Sequence, residues 1–175
     1  MNDSLICPPK LKTGDTVALL ACSGPVDQGQ GRETSRIKSA ADALAWLGLN
    51  VHIMPSCYAV NGYLAGADSL RADDLMQAFS DPGIKGIFPI RGGYGAQRLL
   101  HLLDYDMIHK NPKIFAGYSD TTALHTVLNK MCGFVTYHAP MAGTELWRTD
   151  IDPFTIDSFV HHLFENPSNL LKTAT

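Results

Sequence analysis

What this 175-residue chain lacks narrows its class before any motif is read. No apolar run approaches the roughly 20 residues of a membrane helix, so no membrane partner is expected. The opening Met1-Asn2-Asp3-Ser4-Leu5-Ile6-Cys7-Pro8-Pro9 has no basic segment ahead of an apolar stretch, so no secretory signal is read and cytoplasmic residence is expected. Cysteine is sparse. Cys7, Cys22, Cys57 and Cys132 stand far apart with no Cys-x-x-Cys pair, which argues against a zinc site and gives no disulfide framework. His52, His101, His109, His161 and His162 show no metal-ligand spacing, and no metal is expected. The 14 basic and 17 acidic residues leave a formal charge of -3 without a lysine or arginine cluster, so nucleic acid is not an expected partner. Gly-x-x-x-x-Gly-Lys-Ser/Thr is missing and no glycine cluster has the dinucleotide interval, so nucleotide binding is poorly supported. There is no internal repeat.

What is present is the composition of one globular domain: 45% hydrophobic and 18% charged residues, in a length able to bury about 70% of the unfolded surface. Short apolar runs rich in β-branched residues alternate with longer segments of helical period. That is the pattern of a three-layer α/β fold with a mostly parallel, flavodoxin- or Rossmann-like sheet covered on both faces. Strands are expected at 16–22, 51–54, 86–90, 114–117 and 134–138, and helices at about 31–46, 70–80, 95–103 and 121–131. Pro89 lacks an N–H and so predicts either a non-central place for that side of the third strand or a bulge.

Parallel sheets bind ligands beyond the carboxyl ends of their strands. Ser23-Gly24-Pro25, Arg91-Gly92-Gly93-Tyr94-Gly95, Tyr118-Ser119-Asp120 and His138-Ala139-Pro140-Met141 are therefore expected on one rim. Gly117-Tyr118-Ser119-Asp120-Thr121 runs from an apolar strand into a helix, a turn that lifts one side chain above the sheet edge and aims helix N–H groups at it. Its final Thr departs from the Gly-x-Ser-x-Gly hydrolase pattern. Two roles are open to Ser119: a nucleophile, or a helix N-cap worth about 1 kcal/mol. The adjacent glycines at 92 and 93 suit either an anion hole or a plain tight turn. Should Ser119 attack an acyl group, the amides of Asp120 and Gly93, with Gly92 the alternative, are the expected oxyanion donors. Arg91 is a candidate to hold a substrate carboxylate, or else a strand-end surface arginine. Tyr94 is a candidate to line the pocket, or else covers the sheet edge. His125 follows Ser119 by six residues on one helix, about 240° around, and cannot reach its hydroxyl; His138, ending a strand on the rim, is the in-chain candidate base.

Taken in order, Leu11-Lys12-Thr13-Gly14-Asp15-Thr16-Val17 leading to Ala21-Cys22-Ser23-Gly24-Pro25, Arg71-Ala72-Asp73-Asp74-Leu75, the glycine segment with Arg98-Leu99-Leu100, Gly117 to Thr122, and His138-Ala139-Pro140-Met141 resemble the N-terminal domain of the LD-carboxypeptidases. That family includes the muramoyl-tetrapeptide carboxypeptidases and the microcin C self-immunity proteins. The resemblance implies a serine peptidase with Ser119 as nucleophile, and an oxyanion hole from Asp120 and the Gly92-Gly93 turn. It implies no cofactor, and a small peptide substrate: murein tetrapeptide, losing its terminal D-Ala in peptidoglycan recycling. It also implies that residues 1–165 are the nucleophile domain and that 166–175 begin an interdomain linker. The C-terminal domain bearing the Glu and His of the triad is then absent, and the isolated chain is expected to be inactive. Apolar surface meant for that partner domain is expected to favour a homodimer. Rival readings are a microcin C immunity-type peptidase acting on an acyl-sulfamoyl adenylate, and a non-catalytic α/β ligand-binding domain in which Ser119 only caps.

Overall fold

A computed structural model describes residues 5–26 and 33–165. Within them the order is β1 (Thr16–Leu20), α1 (Glu33–Trp46), β2 (Asn50–Ile53), α2 (Asp68–Ser80), β3 (Ile84–Pro89), α3 (Tyr105–His109), β4 (Ile114–Gly117), α4 (Thr122–Cys132), β5 (Tyr137–His138) and α5 (Pro153–Leu163). Short 3-10 turns cover Pro55–Tyr58, Ala96–Leu102 and Ser119–Thr121, and a π turn covers Ala142–Leu146.

The strands are parallel and lie in the order β2-β1-β3-β4-β5, so the winding reverses between β1 and β3. Alternation along the central strands feeds two cores. Val17, Leu19, Ala21, Phe88, Ile90, Ile114 and Ala116 face α1 and α5. Ala18, Leu20, Cys22, Ile87 and Phe115 face α2, α3 and α4. A strand buried on both sides must be apolar at every position, which is why β1 reads as an unbroken apolar run. The three-layer α/β fold expected from the sequence is the one observed.

Several details differ from the sequence expectations. β3 is central, between β1 and β4, although it carries Pro89. Pro89 closes the strand, and the pairing with β4 stops earlier, at Ile87 with Phe115. The neighbouring Ile90 donates to Leu20 O on the β1 side at 2.7 Å, so by alternation the missing N–H of Pro89 faces β4 beyond the last ladder bond, and costs nothing. The register irregularity lies instead at Thr16–Val17. The helical segment at 95–103 is a 3-10 stretch, and the fifth strand shrinks to two residues, with Phe134 only bridging to Ile6. Gly31 and Arg32, read as the start of the first helix, and residues 166–175, read as a linker, lie outside the described residues.

Candidate active site

The four expected rim segments meet at the carboxyl ends of β1, β3, β4 and β5. Gly24 N–H reaches Gly92 O at 3.4 Å, and Arg91 Nη1 donates to Pro25 O at 3.1 Å. Ala96 N–H donates to Asp120 Oδ2 at 2.8 Å, and Ala139 N–H to Gly117 O at 3.2 Å. The turn after β3 is thus tied to the turn after β1 on one side and to Ser119-Asp120 on the other.

Ser119 is exposed and has φ 66°, the one non-glycine residue with positive φ among the described residues. For an L-residue that conformation costs about 1–2 kcal/mol. An N-cap is extended and its hydroxyl accepts an amide of the first turn. Ser119 fits neither condition: the extended residue is Tyr118, at φ -154°, and the Ser119 hydroxyl makes no hydrogen bond among the described residues. The capping alternative therefore lacks its geometry.

The glycine turn presses directly on this residue. A Cβ on Gly92 would fall 2.8 Å from both Cβ and Oγ of Ser119 and 3.5 Å from the Asp120 amide nitrogen. Only glycine leaves that space open, and the space adjoins the hydroxyl and the amide together. Gly93 has φ 133°, and a Cβ there would stand 2.9 Å from Gly24 N. Both conformation and crowding demand glycine at 93.

Arg91 is partly buried and donates through Nε to Gly92 O at 3.2 Å as well as to Pro25 O. Burial, with the like charge of Arg36 adding to it, pushes its guanidinium below the usual value. Arg36 itself donates to Gly143 O at 3.0 Å. Tyr94 is exposed, accepts from Gln97 Nε2 at 2.9 Å and packs edge-on against Tyr63, 5.7 Å between ring centres. Tyr118 donates to Glu145 Oε1 at 2.6 Å, a bond that raises the phenol's pKa, with burial contributing.

Neither histidine near the turn is hydrogen-bonded to Ser119 among the described residues. His125 is spent elsewhere, with Nε2 2.9 Å from Gly117 O and Nδ1 2.8 Å from Thr136 Oγ1. His138 is exposed, its ring 5.9 Å from that of Tyr118.

Two contributors were not expected from the sequence. The Asp120 carboxylate ties the elbow to the exit of the glycine turn, and Arg71, wholly buried on α2, bonds Cys22 O and Gly95 O. The signal for Arg71 was present: it shares a helix face with Leu75, Ala78 and Phe79, so a charge stands in the apolar stripe.

The description LD-carboxypeptidase N-terminal domain matches residues 17–139. The chain belongs to the LD-carboxypeptidase family. It is 38% identical over 152 residues to a probable murein peptide carboxypeptidase of Bacillus subtilis, covering 87% of this chain and 46% of that protein. It is 31% identical over 130 residues to the microcin C7 self-immunity protein MccF of Escherichia coli, covering 74% of this chain and 37% of that one. Among solved structures, an MccF-like protein from Bacillus anthracis superposes with a TM-score of 0.83 at 33% identity, over 91% of this chain and 47% of that chain. The chain thus spans about half the length of the relatives it matches or less, and both the peptidase-named and the MccF-named branches of the LD-carboxypeptidase family resemble it.

Proposed function

We propose that this chain is the nucleophile-bearing half of a serine LD-carboxypeptidase, and that its substrate is murein tetrapeptide. The observation that carries the reading is the strained, unbonded Ser119, with the Gly92 gap and the Asp120 amide beside its hydroxyl. Ser119 Oγ attacks the carbonyl carbon of the peptide bond ahead of the terminal D-Ala. The amides of Asp120 and Gly93, or of Gly92, stabilise the oxyanion. The C–N bond breaks, D-Ala leaves as the amine after gaining a proton, and water releases the tripeptide from the serine ester. Arg91, and with it Tyr94, is assigned to the substrate's terminal carboxylate and its surroundings. On this reading the glutamate and histidine of the triad come from a second half.

D-Ala release from murein tetrapeptide tests this. Residues 1–175 alone are expected to release almost none, since losing the base of a triad costs on the order of 10⁶ in turnover. Joined to the second half that its relatives possess, the protein should turn over, and Ser119→Ala should abolish the reaction. Equal turnover with and without the serine hydroxyl would overturn the reading. The likeness to MccF, a protein known in complex with aspartyl sulfamoyl adenosine, favours a second substrate, an aminoacyl-sulfamoyl adenosine cleaved by the same serine. Cleavage of that compound, with murein tetrapeptide untouched, would select it. Absence of both activities in a folded protein would favour a ligand-binding domain.

A further inference from the structure

We propose that Arg71 is a positioning residue that fixes the glycine turn against Ser119; the proposal rests on the assignment of Ser119 as nucleophile. Arg71 is 0% exposed. Its Nη1 donates to Cys22 O at 2.6 Å and to Gly95 O at 3.0 Å, so one nitrogen spans the turn after β1 and the last residue of the turn after β3. Directly between those turns the backbone contact is long, Gly24 N to Gly92 O at 3.4 Å. Nη2 pairs with Asp68, whose carboxylate also holds Arg98 Nε at 2.9 Å and Nη2 at 2.7 Å, on the 3-10 stretch that follows the turn. A Cβ on Gly95 would fall 2.9 Å from Arg71 Nη1. Guanidinium and glycine are therefore fitted to one another.

The opposite tether is the elbow's own, Ala96 N–H to Asp120 Oδ2 at 2.8 Å. Residues 92–95 are thus clamped between a buried cation and the residue that follows Ser119. The fold alone does not call for a charge here. Burying a cation costs more than burying an apolar side chain of similar volume, and Arg71 Nε is left without a partner. A guanidinium keeps its charge and its fixed fork of donors at any working pH, which a lysine ammonium does not reproduce. Held at Gly95 O by Arg71 and at Ala96 N–H by Asp120, the turn keeps Gly92 against Ser119, where a Cβ would fall 2.8 Å from the hydroxyl.

The test compares Arg71→Ala and Arg71→Lys with the parent. In the 175-residue chain, backbone amide exchange is followed at Gly24, which donates to Gly92 O, and at Ala96, which donates to Asp120, and, as reference, at Val17 and Leu19. Exchange at the turn is expected to speed up by about tenfold or more while the β1 amides hold. In the protein joined to its second half, kcat for D-Ala release should fall by about 10²-fold in Arg71→Ala with KM little changed. Added guanidinium ion should restore part of the lost kcat to Arg71→Ala and none to Ser119→Ala. If turn and β1 amides loosen together, or if activity falls only in step with the folded fraction and guanidinium restores nothing, Arg71 is a structural residue and the proposal is wrong. Should Arg71→Ala not fold, Arg71→Lys decides: it keeps the charge, and the proposal requires faster exchange at the turn and a reduced kcat from it. Full turnover by Ser119→Ala would remove the serine assignment, while the exchange result would still judge the clamp.

Discussion

Arg71 and Lys113 bury a cation at opposite ends of the sheet, and each donates to two backbone carbonyls. Arg71 serves Cys22 and Gly95 at the carboxyl ends of the strands. Lys113, just ahead of β4 and 7% exposed, serves Ala78 at 2.8 Å and Asp81, the last turn and C-cap of α2. What separates the two ends is what is left unsatisfied. Ser23 Oγ and Arg71 Nε are the buried side-chain polar atoms without partners among the described residues, and Ser119 is the non-glycine residue with positive φ. All three belong to the rim or its clamp. At the other end a cation closes a helix, and among the described residues no non-glycine residue there has a positive φ. Strain and unmet polar groups persist where the surrounding structure over-determines a geometry, so their one-sided distribution supports the site proposed at the rim.

The largest effect expected is a separation of chemistry from stability at Ser119. Ser119→Gly should abolish D-Ala release by the protein joined to its second half, and yet raise the unfolding free energy of the 175-residue chain by about 1 kcal/mol, because glycine relieves the φ of 66°. Chemical denaturation reads the second quantity. A loss of stability of that size would mean that Ser119 contributes to the fold, as a cap would, and the contrast between the two ends would weaken.

Glycine substitutions probe the same contrast next. Gly92→Ala places a methyl 2.8 Å from Ser119 Cβ and Oγ, whereas Gly83→Ala at the far end meets side-chain atoms of Asp81, Oδ1 at 3.1 Å and Cγ at 3.8 Å. Gly92→Ala is expected to lower turnover by about 10²-fold or more and to cost roughly 1–3 kcal/mol through overpacking. Gly83→Ala should stay within about 0.5 kcal/mol and leave turnover unchanged. Similar losses from both would show that the close approach at Gly92 has no special role.

Much of this was legible in the sequence, and what was missed has physical causes. Alternating short apolar runs and helical segments specified the parallel sheet, because a strand covered on both faces has no polar side to show. The rim loops followed from the same order of elements. Pro89 misled because a missing N–H matters only where a ladder needs it, and the ladder to β4 ends at Ile87. The positive φ of Ser119 was not readable, since nothing in Gly117-Tyr118-Ser119-Asp120 distinguishes a strained turn from a cap until the backbone is traced. Arg71 stands within a legible motif, but its place in the core does not stand out in the sequence. The same helix buries Asp74, which accepts Ser56 N–H at 2.7 Å, so the stripe at 71, 74, 75 and 78 mixes charge with apolar residues and conceals both.

Lys113 gives the pH-dependent counterpart at the far end. Burial pushes its ammonium down to about 8. Between about 8 and the unfolded value near 10.4, the unfolded chain binds more protons than the folded one, so stability should rise with pH across that window. Lys113→Met should remove the rise. At neutral pH the same variant should lose about 1–2 kcal/mol, because the carbonyls of Ala78 and Asp81 lose their donor. Denaturation at pH 7, 8 and 10 in both proteins measures this, and an identical rise in the variant would assign the titration elsewhere.

The smallest effect concerns His125, which links the rim to α4. Its Nε2–H donates to Gly117 O and its Nδ1 accepts from Thr136 Oγ1, which in turn accepts from Asn129 Nδ2 at 3.1 Å, so the neutral ring has each nitrogen matched. Burial holds its pKa below the usual histidine value. As pH falls below about 6.5 the unfolded chain takes up a proton that the folded chain refuses, and stability should decline until the folded pKa is reached. His125→Gln should flatten the decline between pH 7 and 5, measured by denaturation. The carbonyl that His125 holds belongs to Gly117, two residues before Ser119. Loss of that bond should therefore also speed amide exchange at Ala139, whose N–H shares the same acceptor at 3.2 Å. An unchanged pH slope together with unchanged exchange at Ala139 would confine His125 to packing against Phe115, 5.0 Å between ring centres, and leave the rim supported by the Arg71 and Asp120 tethers alone.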